Sequence, residues 1–268
     1  MSDITFHNAP LIEILAELRW HPAQLSMPFA LSGGAAQQPM SIVVGNPLEV
    51  FFGRFSDEIS KHGFRRSERL VPPGQAFVQG QAAVRFRSDP EKLNVLYQIG
   101  HGMFSANATP PYRSWSHFLP EVEKGIDALL ASRADDEKAT SFSSVSLRYI
   151  DAFNPNLTKG YDVTTFLSDV LKFRIDLPDV LVKYRVGNVR PFLALTIPTA
   201  KGSLYLAYAE GLVAGKTGIV FDTTFSVVQP IPPQREAIVI ALDSAHTVIR
   251  DVFMELTKPI HPQMQPEH

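Results

Sequence analysis

Arg148, Tyr149, Ile150 and Asp151 put a guanidinium, a phenol and a carboxyl into one short β-like run near mid-chain. An arginine fork grips an anion or carboxylate through two parallel hydrogen bonds. Side chains alternate along a strand. Leu147, Tyr149 and Asp151 are therefore predicted on one face, with Arg148 and Ile150 on the other. "ELRW", Glu17 to Trp20, looks like "SLRY", Ser146 to Tyr149, and sets Arg19 in the place of Arg148. His101 is a further candidate, because the glycines on either side of it allow close backbone approach. Arg19, His101, Arg148, Tyr149 and Asp151 are thus the candidate ligand contacts. The plainer expectation for the two arginines is a solvated sheet face, or pairing with a carboxylate.

A second constellation is basic. Arg65, Arg66, Arg69, Arg85 and Arg87 are interleaved with Phe64, Phe77 and Phe86, a pattern that suits phosphate contact plus base stacking. Asp57, Glu58 and Glu68 dilute that charge. "EGLVAGKTG" departs from a phosphate loop, which needs a glycine where Glu210 stands and leads into a helix. A hairpin turn is expected there instead. None of the eight histidines forms a His-x-x-x-His pair, and cysteine is absent, so neither a metal nor a cofactor is expected. His246 reads as a boundary histidine of the last helix.

These groups need elements to hold them. Ile12 to Trp20 reads as a first strand, although its apolar run also suits a short helix. The Gly-, Pro- and Gln-rich loop from His21 to Asn46 follows. A helix then runs from Asn46 and Pro47 to a stop at Gly63, with Leu48, Phe51, Phe52, Phe55 and Ile59 on one side. Strand-like runs cover Arg65–Val71, Ala76–Arg87 and Leu93–Ala106. Ser116–Ala131 is a second helix, with Pro120 near its first turn. After the polar "SRADDEKATS" the order begins again with a strand at "SVSLRYIDAF" and a helix at "YDVTTFLSDVLKF", capped by Asp162 or a threonine. Strands at Val180–Val186, Phe192–Pro198, Ser203–Glu210 and Ile219–Val228 follow, and a last helix spans Glu236–Leu256.

The reading is an α+β chain of two related halves, each strand, helix, three or four antiparallel strands and helix, with the sheets backed by helices. The halves cover residues 1–133 and 143–268, with 134–142 as linker, and their sheets could join into one. The 268 residues are 45% hydrophobic and 19% charged with a net charge of −2, which excludes disorder and an overall basic footprint. No apolar stretch is long enough to span a membrane, and the opening residues lack a signal-peptide pattern. A cytoplasmic chain is expected.

"NAPLIEILAELRW", "SLRYIDAF" and "ALDSAHTVIRDVFMELT" resemble a sporadically distributed family of uncharacterised bacterial proteins of about this length. Its members share a Pro-Ile-Val-Glu-like opening, a central Arg-Tyr-Ile-Asn-like strand and a closing helix with His and Phe. Here Leu11-Ile12-Glu13 follows Pro10, and Asp151 stands where the family has Asn. The resemblance brings no catalytic residue with it. Its patchy distribution implies loci of defence or stress. The expectation is a non-enzymatic binding protein, antitoxin-like, chaperone-like or scaffold, that pairs with itself or another polypeptide. Its working surfaces would be the open sheet face and the loop 21–46. The alternatives are an enzyme that takes a small anionic substrate between the halves, or a nucleic-acid binder at Arg65–Arg87.

Overall fold

The computed structural model describes residues 5–22, 46–72, 75–88, 94–111, 114–213 and 215–267. The expected working loop 21–46 lies almost wholly outside them. The early strands are β1 (Leu11–Arg19), β2 (Arg66–Arg69), β3 (Ala82–Arg87), β4 (Val95–Gly100) and β5 (Met103–Ala108); β1 alternates buried and open positions, β2 is polar throughout and is held by pairing with β3, and β5 is buried along its length. The later strands are β6 (Ser144–Phe153), β7 (Leu193–Thr199), β8 (Gly202–Val213) and β9 (Lys216–Val227). Among the described residues these form a single antiparallel sheet in the order β2-β3-β4-β5-β1-β6-β9-β8-β7. The fold is α+β.

Helices cover one face. Phe55 of α1 (Asn46–Ser60) lies 5.1 Å from Phe86 and 6.0 Å from Phe104, ring centre to ring centre, and all three are fully buried. Each such ring contributes roughly 1.5–3 kcal/mol on leaving water. Val122, Ile126 and Leu129 of α2 (Trp115–Ser132), with Ile238, Leu242 and Ile249 of α5 (Arg235–Thr257), complete the core. Ile14, Ala16 and Leu18 of β1 point into this layer, while Glu13, Glu17 and Arg19 alternate onto the other face.

Both halves are wired alike. From the centre outward the strands run β1-β5-β4-β3-β2 on one side and β6-β9-β8-β7 on the other, so in each half the first strand pairs with the last. β1 and β6 meet antiparallel at the centre, with Glu17 opposite Ser146 and Leu15 opposite Arg148. What the halves share is this topology. The connection between the halves starts on the fully buried Arg133, whose guanidinium sits 5.2 Å from the Trp20 ring and 5.0 Å from that of Phe142.

Several expected elements come out differently. The run Leu93–Ala106 is no single strand but a hairpin, β4 and β5, that reverses at His101 and Gly102. Gly102 holds φ +75, and a Cβ there would lie 2.7 Å from the Trp20 carbonyl oxygen, so glycine is what permits the turn. Val180–Val186, read as a strand from its β-branched residues, overlaps α4 (Asp179–Tyr184). That helix starts after Pro178 with Asp179 in its first turn and Lys183 in its last, end charges that favour a helix. Pro120 falls in the second turn of α2 rather than its first. The helix expected at "YDVTTFLSDVLKF" is α3 (Val163–Thr165), capped by Asp162 through Thr165 N at 2.8 Å, and it runs on as a π-helical turn over Phe166–Val170. Lys216 of "GKTG" opens β9 on a β8–β9 hairpin, where no helix N-terminus faces a phosphate.

Candidate functional site

Among the described residues a concavity lies on the helix side of β6. The ladder between β1 and β6 shifts register between Leu11 and Glu13, so Ile12 is an extra residue facing the Ile150–Asp151 step. Such a bulge bends the strand and loosens the ladder locally. Beside it β6 delivers Tyr149 and Asp151. α5 delivers His246, Ile249, Arg250 and Phe253 at helical spacing, and Trp115 comes from the start of α2. The remaining wall is the chain segment before β1. It is clasped by the C-terminal residues through His7 N to Gln265 O at 2.9 Å and Glu267 N to Thr5 O at 2.8 Å. These groups line a half-open cavity of about 140 Å³.

Its polar chemistry is compact. Tyr149 Oη lies 2.9 Å from Nδ1 of His246. The Trp115 indole stacks on the same imidazole, with ring centres 5.2 Å apart, and its Nε1 donates to Asp243 Oδ1 at 2.7 Å. α5 is thereby pinned to both β6 and α2. Asp151 lines the same cavity and is only 4% exposed, yet among the described residues its carboxyl forms no hydrogen bond. Burial pushes its pKa up to about 8, and the negative charge of Asp222 on the neighbouring strand adds to the shift. The carboxyl is therefore mostly neutral at pH 7. Tyr208 stands two strands away in the same cross-strand row, and its phenol is pushed up by burial first and by Asp151 second.

Other candidate contacts lie elsewhere. Arg148 projects from the opposite face, where Nε and Nη2 bond the two oxygens of Asp222 at 2.8 and 2.6 Å. Its pKa is raised, chiefly by that hydrogen bond, and Glu13 and Glu17 add negative charge nearby. Arg19 shares this face but bonds Glu17 at 2.6 Å, and its cross-strand partner is Ser144, about 13 Å along β6 from Arg148. His101 groups with Arg19, not with Asp151. Gly80 N donates to the His101 carbonyl at 2.7 Å, and Arg19 Nη1 donates to the Gly80 carbonyl at 3.2 Å. Burial lowers the His101 pKa, and Glu137 opposes that shift.

The basic constellation is also largely internal. Arg69 binds the Glu49 carboxylate through both terminal nitrogens and lies 5.2 Å from the Phe77 ring centre. Arg85 bonds Glu68 at 3.2 Å, whereas Arg66 and Arg87 are cross-strand neighbours on β2 and β3, and Arg65 is exposed. Phe64, Phe77 and Phe86 are core residues, so none offers an open face to a base. No three His, Asp or Glu side chains among the described residues are arranged to hold a metal ion. No helix among them is long and apolar enough to cross a membrane.

Two pocket residues escaped the sequence reading. His246 was placed at the boundary of an apolar stripe, and Trp115 received no role. The one available signal was that His246, Ile249, Arg250 and Phe253 share a helix face that is not wholly apolar. No family model, no curated protein and no solved structure matches this chain.

Proposed function

We propose that this chain is a binding protein of the bacterial cytoplasm that seats a small organic cation in the pocket behind β6, with its charge against Asp151. The observation that carries the reading is that carboxyl: buried, without a hydrogen-bond partner among the described residues, and facing a cavity walled by aromatic rings. Trp115, Tyr149, Phe6 and Phe253 supply those rings. Aromatic faces attract cations, by ~2 kcal/mol when both are desolvated. A space near 140 Å³ suits a group about the size of benzene. Asp222, on the far side of the sheet, is paired with Arg148, so Asp151 is the carboxyl left to meet the charge. Arg250 is the opposing charge, on the α5 wall, where it is bonded to Asp251 at 3.2 Å. We also propose the antitoxin-like, chaperone-like or scaffold role that the family resemblance implies, which is compatible with a ligand-responsive binding protein.

The chemistry sets the test. A permanent cation gains its ion pair only when Asp151 has lost its proton, so binding releases one proton to solvent. With a pKa of about 8, choline affinity is expected to rise roughly 100-fold from pH 6 to pH 9. The neutral isostere 3,3-dimethylbutan-1-ol should bind weakly and without that slope. Titration calorimetry of the full chain with both probes, repeated on Asp151→Asn, reads all three quantities. Equal affinity for the two probes, or a choline affinity flat with pH, would overturn the assignment.

A further inference from the structure

The pocket behind β6 is lined by two groups of opposite charge, Asp151 and Arg250. From the contact of Tyr149 with His246, β6 and α5 both run on toward the segment that precedes β1. Asp151 comes two residues after Tyr149, and its neighbour Ala152 donates to the Pro10 carbonyl at 2.8 Å. Arg250 comes four residues after His246, and Phe253 beyond it lies 6.4 Å from Phe6, ring centre to ring centre. Two residues of strand and four of helix each advance about 6–7 Å, which sets Asp151 and Arg250 at similar height on the two walls. No hydrogen bond reaches Asp151 among the described residues, so its carboxyl and the guanidinium stand apart across the space.

We infer that the ligand of this pocket is a small zwitterion, a cationic head on a short link to a carboxylate, with the head at Asp151 and the carboxylate on Arg250. The inference rests on the cation reading of the same pocket and narrows it. A bare cation is drawn to Asp151 but repelled by Arg250, and a bare anion meets the reverse. A ligand that carries both charges is complementary to both walls. Arg250 suits the carboxylate end, because a guanidinium holds a carboxylate through two parallel N–H groups of its planar fork. Its bond to Asp251 is no obstacle. The Asp251 side chain is 65% exposed, and an ion pair so open to water is worth little. The rings of Trp115, Tyr149, Phe6 and Phe253 are left to meet the cationic head.

Glycine betaine and choline are a matched pair for the test. They share the trimethylammonium head and differ only in a carboxylate for a hydroxymethyl group. Titration calorimetry of the full chain at pH 9, where Asp151 is mostly ionised, should give glycine betaine at least about tenfold the affinity of choline. Arg250→Gln should weaken glycine betaine about tenfold and tighten choline, opposite changes that a damaged fold would not produce. Arg250→Lys, which keeps the charge without the fork, should fall between wild type and Arg250→Gln. 3,3-Dimethylbutanoate has the shape of glycine betaine without its cation and should bind more weakly. Choline bound with its pH slope, but glycine betaine no tighter, would overturn the zwitterion assignment and leave the cation reading standing. Binding of neither probe would overturn both. So would 3,3-dimethylbutanoate bound as tightly as glycine betaine, which would make the pocket an anion site.

Discussion

Asp151→Asn is expected to raise the thermal midpoint at pH 7 by roughly 8 °C and to leave it nearly unchanged at pH 4. The wild-type carboxyl titrates near its ordinary value in the unfolded chain and at about 8 in the folded one. Between those two values the folded state holds a proton that the unfolded state has lost. Stability from this group is therefore fully present below the unfolded pKa and declines as pH rises, until about pH 8. The accumulated loss by pH 7 is on the order of 4 kcal/mol. Asparagine has the shape of the neutral carboxyl and no proton to lose. The difference between variant and wild type should then grow steadily with pH in scanning calorimetry, while titrations elsewhere in the chain cancel. A difference of the same size at pH 4 and pH 7 would mean that Asp151 ionises normally in the fold.

The second large effect separates two glycines in two helices. Gly125 of α2 rests on the sheet so closely that a Cβ would sit 2.6 Å from Tyr97 Cε1 and 2.7 Å from Phe104 Cζ. Both rings are fully buried, and Tyr97 is further fixed by donating to the Glu121 carbonyl at 2.6 Å. Gly125→Ala must therefore lift α2 or displace a ring, with an expected cost of about 1–3 kcal/mol. α2 also carries Trp115, so the same shift should disturb the stack on His246 and weaken choline binding. Gly53 of α1 has nothing within 4 Å of its Cβ position and is exposed. Gly53→Ala should stabilise by roughly 0.5–1 kcal/mol through helix propensity alone. Urea denaturation of the two variants should move in opposite directions, and a neutral Gly125→Ala would contradict the tight seat described for α2.

What the chain discloses unaided is mostly local. Alternation along β6 was enough to part Arg148 from Tyr149 and Asp151, because strand geometry leaves no other arrangement. Helical periodicity located α1, α2 and α5, whose apolar stripes are long enough to be unambiguous. Short apolar runs were not: Val180–Val186 reads as β-branched strand, yet most of it is helical in α4, whose end charges favour a helix. The β4–β5 turn was missed because His101 interrupts two glycines instead of the Asn-Gly that usually marks a hairpin. The pocket itself depends on distance in sequence. Tyr149 and His246 meet only because α5 crosses β6, and no periodicity in either segment carries that information. The buried state of Asp151 is a property of its surroundings, so its altered acidity could not be read from residue type.

β1 lies in the middle of the sheet and not at its margin, with β5 on one side and β6 on the other. On a ribosome this becomes a matter of timing. After β1 emerges, well over a hundred further residues must be added before β6 can reach it, about 7–30 s at ordinary rates of synthesis. Through that interval β5 can close one side of β1, while the row of peptide groups meant for β6 faces whatever is nearby. The nascent chain thus carries a temporary sticky margin that the finished protein lacks. Slower translation between the two halves should lengthen its exposure, and with it the fraction of chains lost to aggregation.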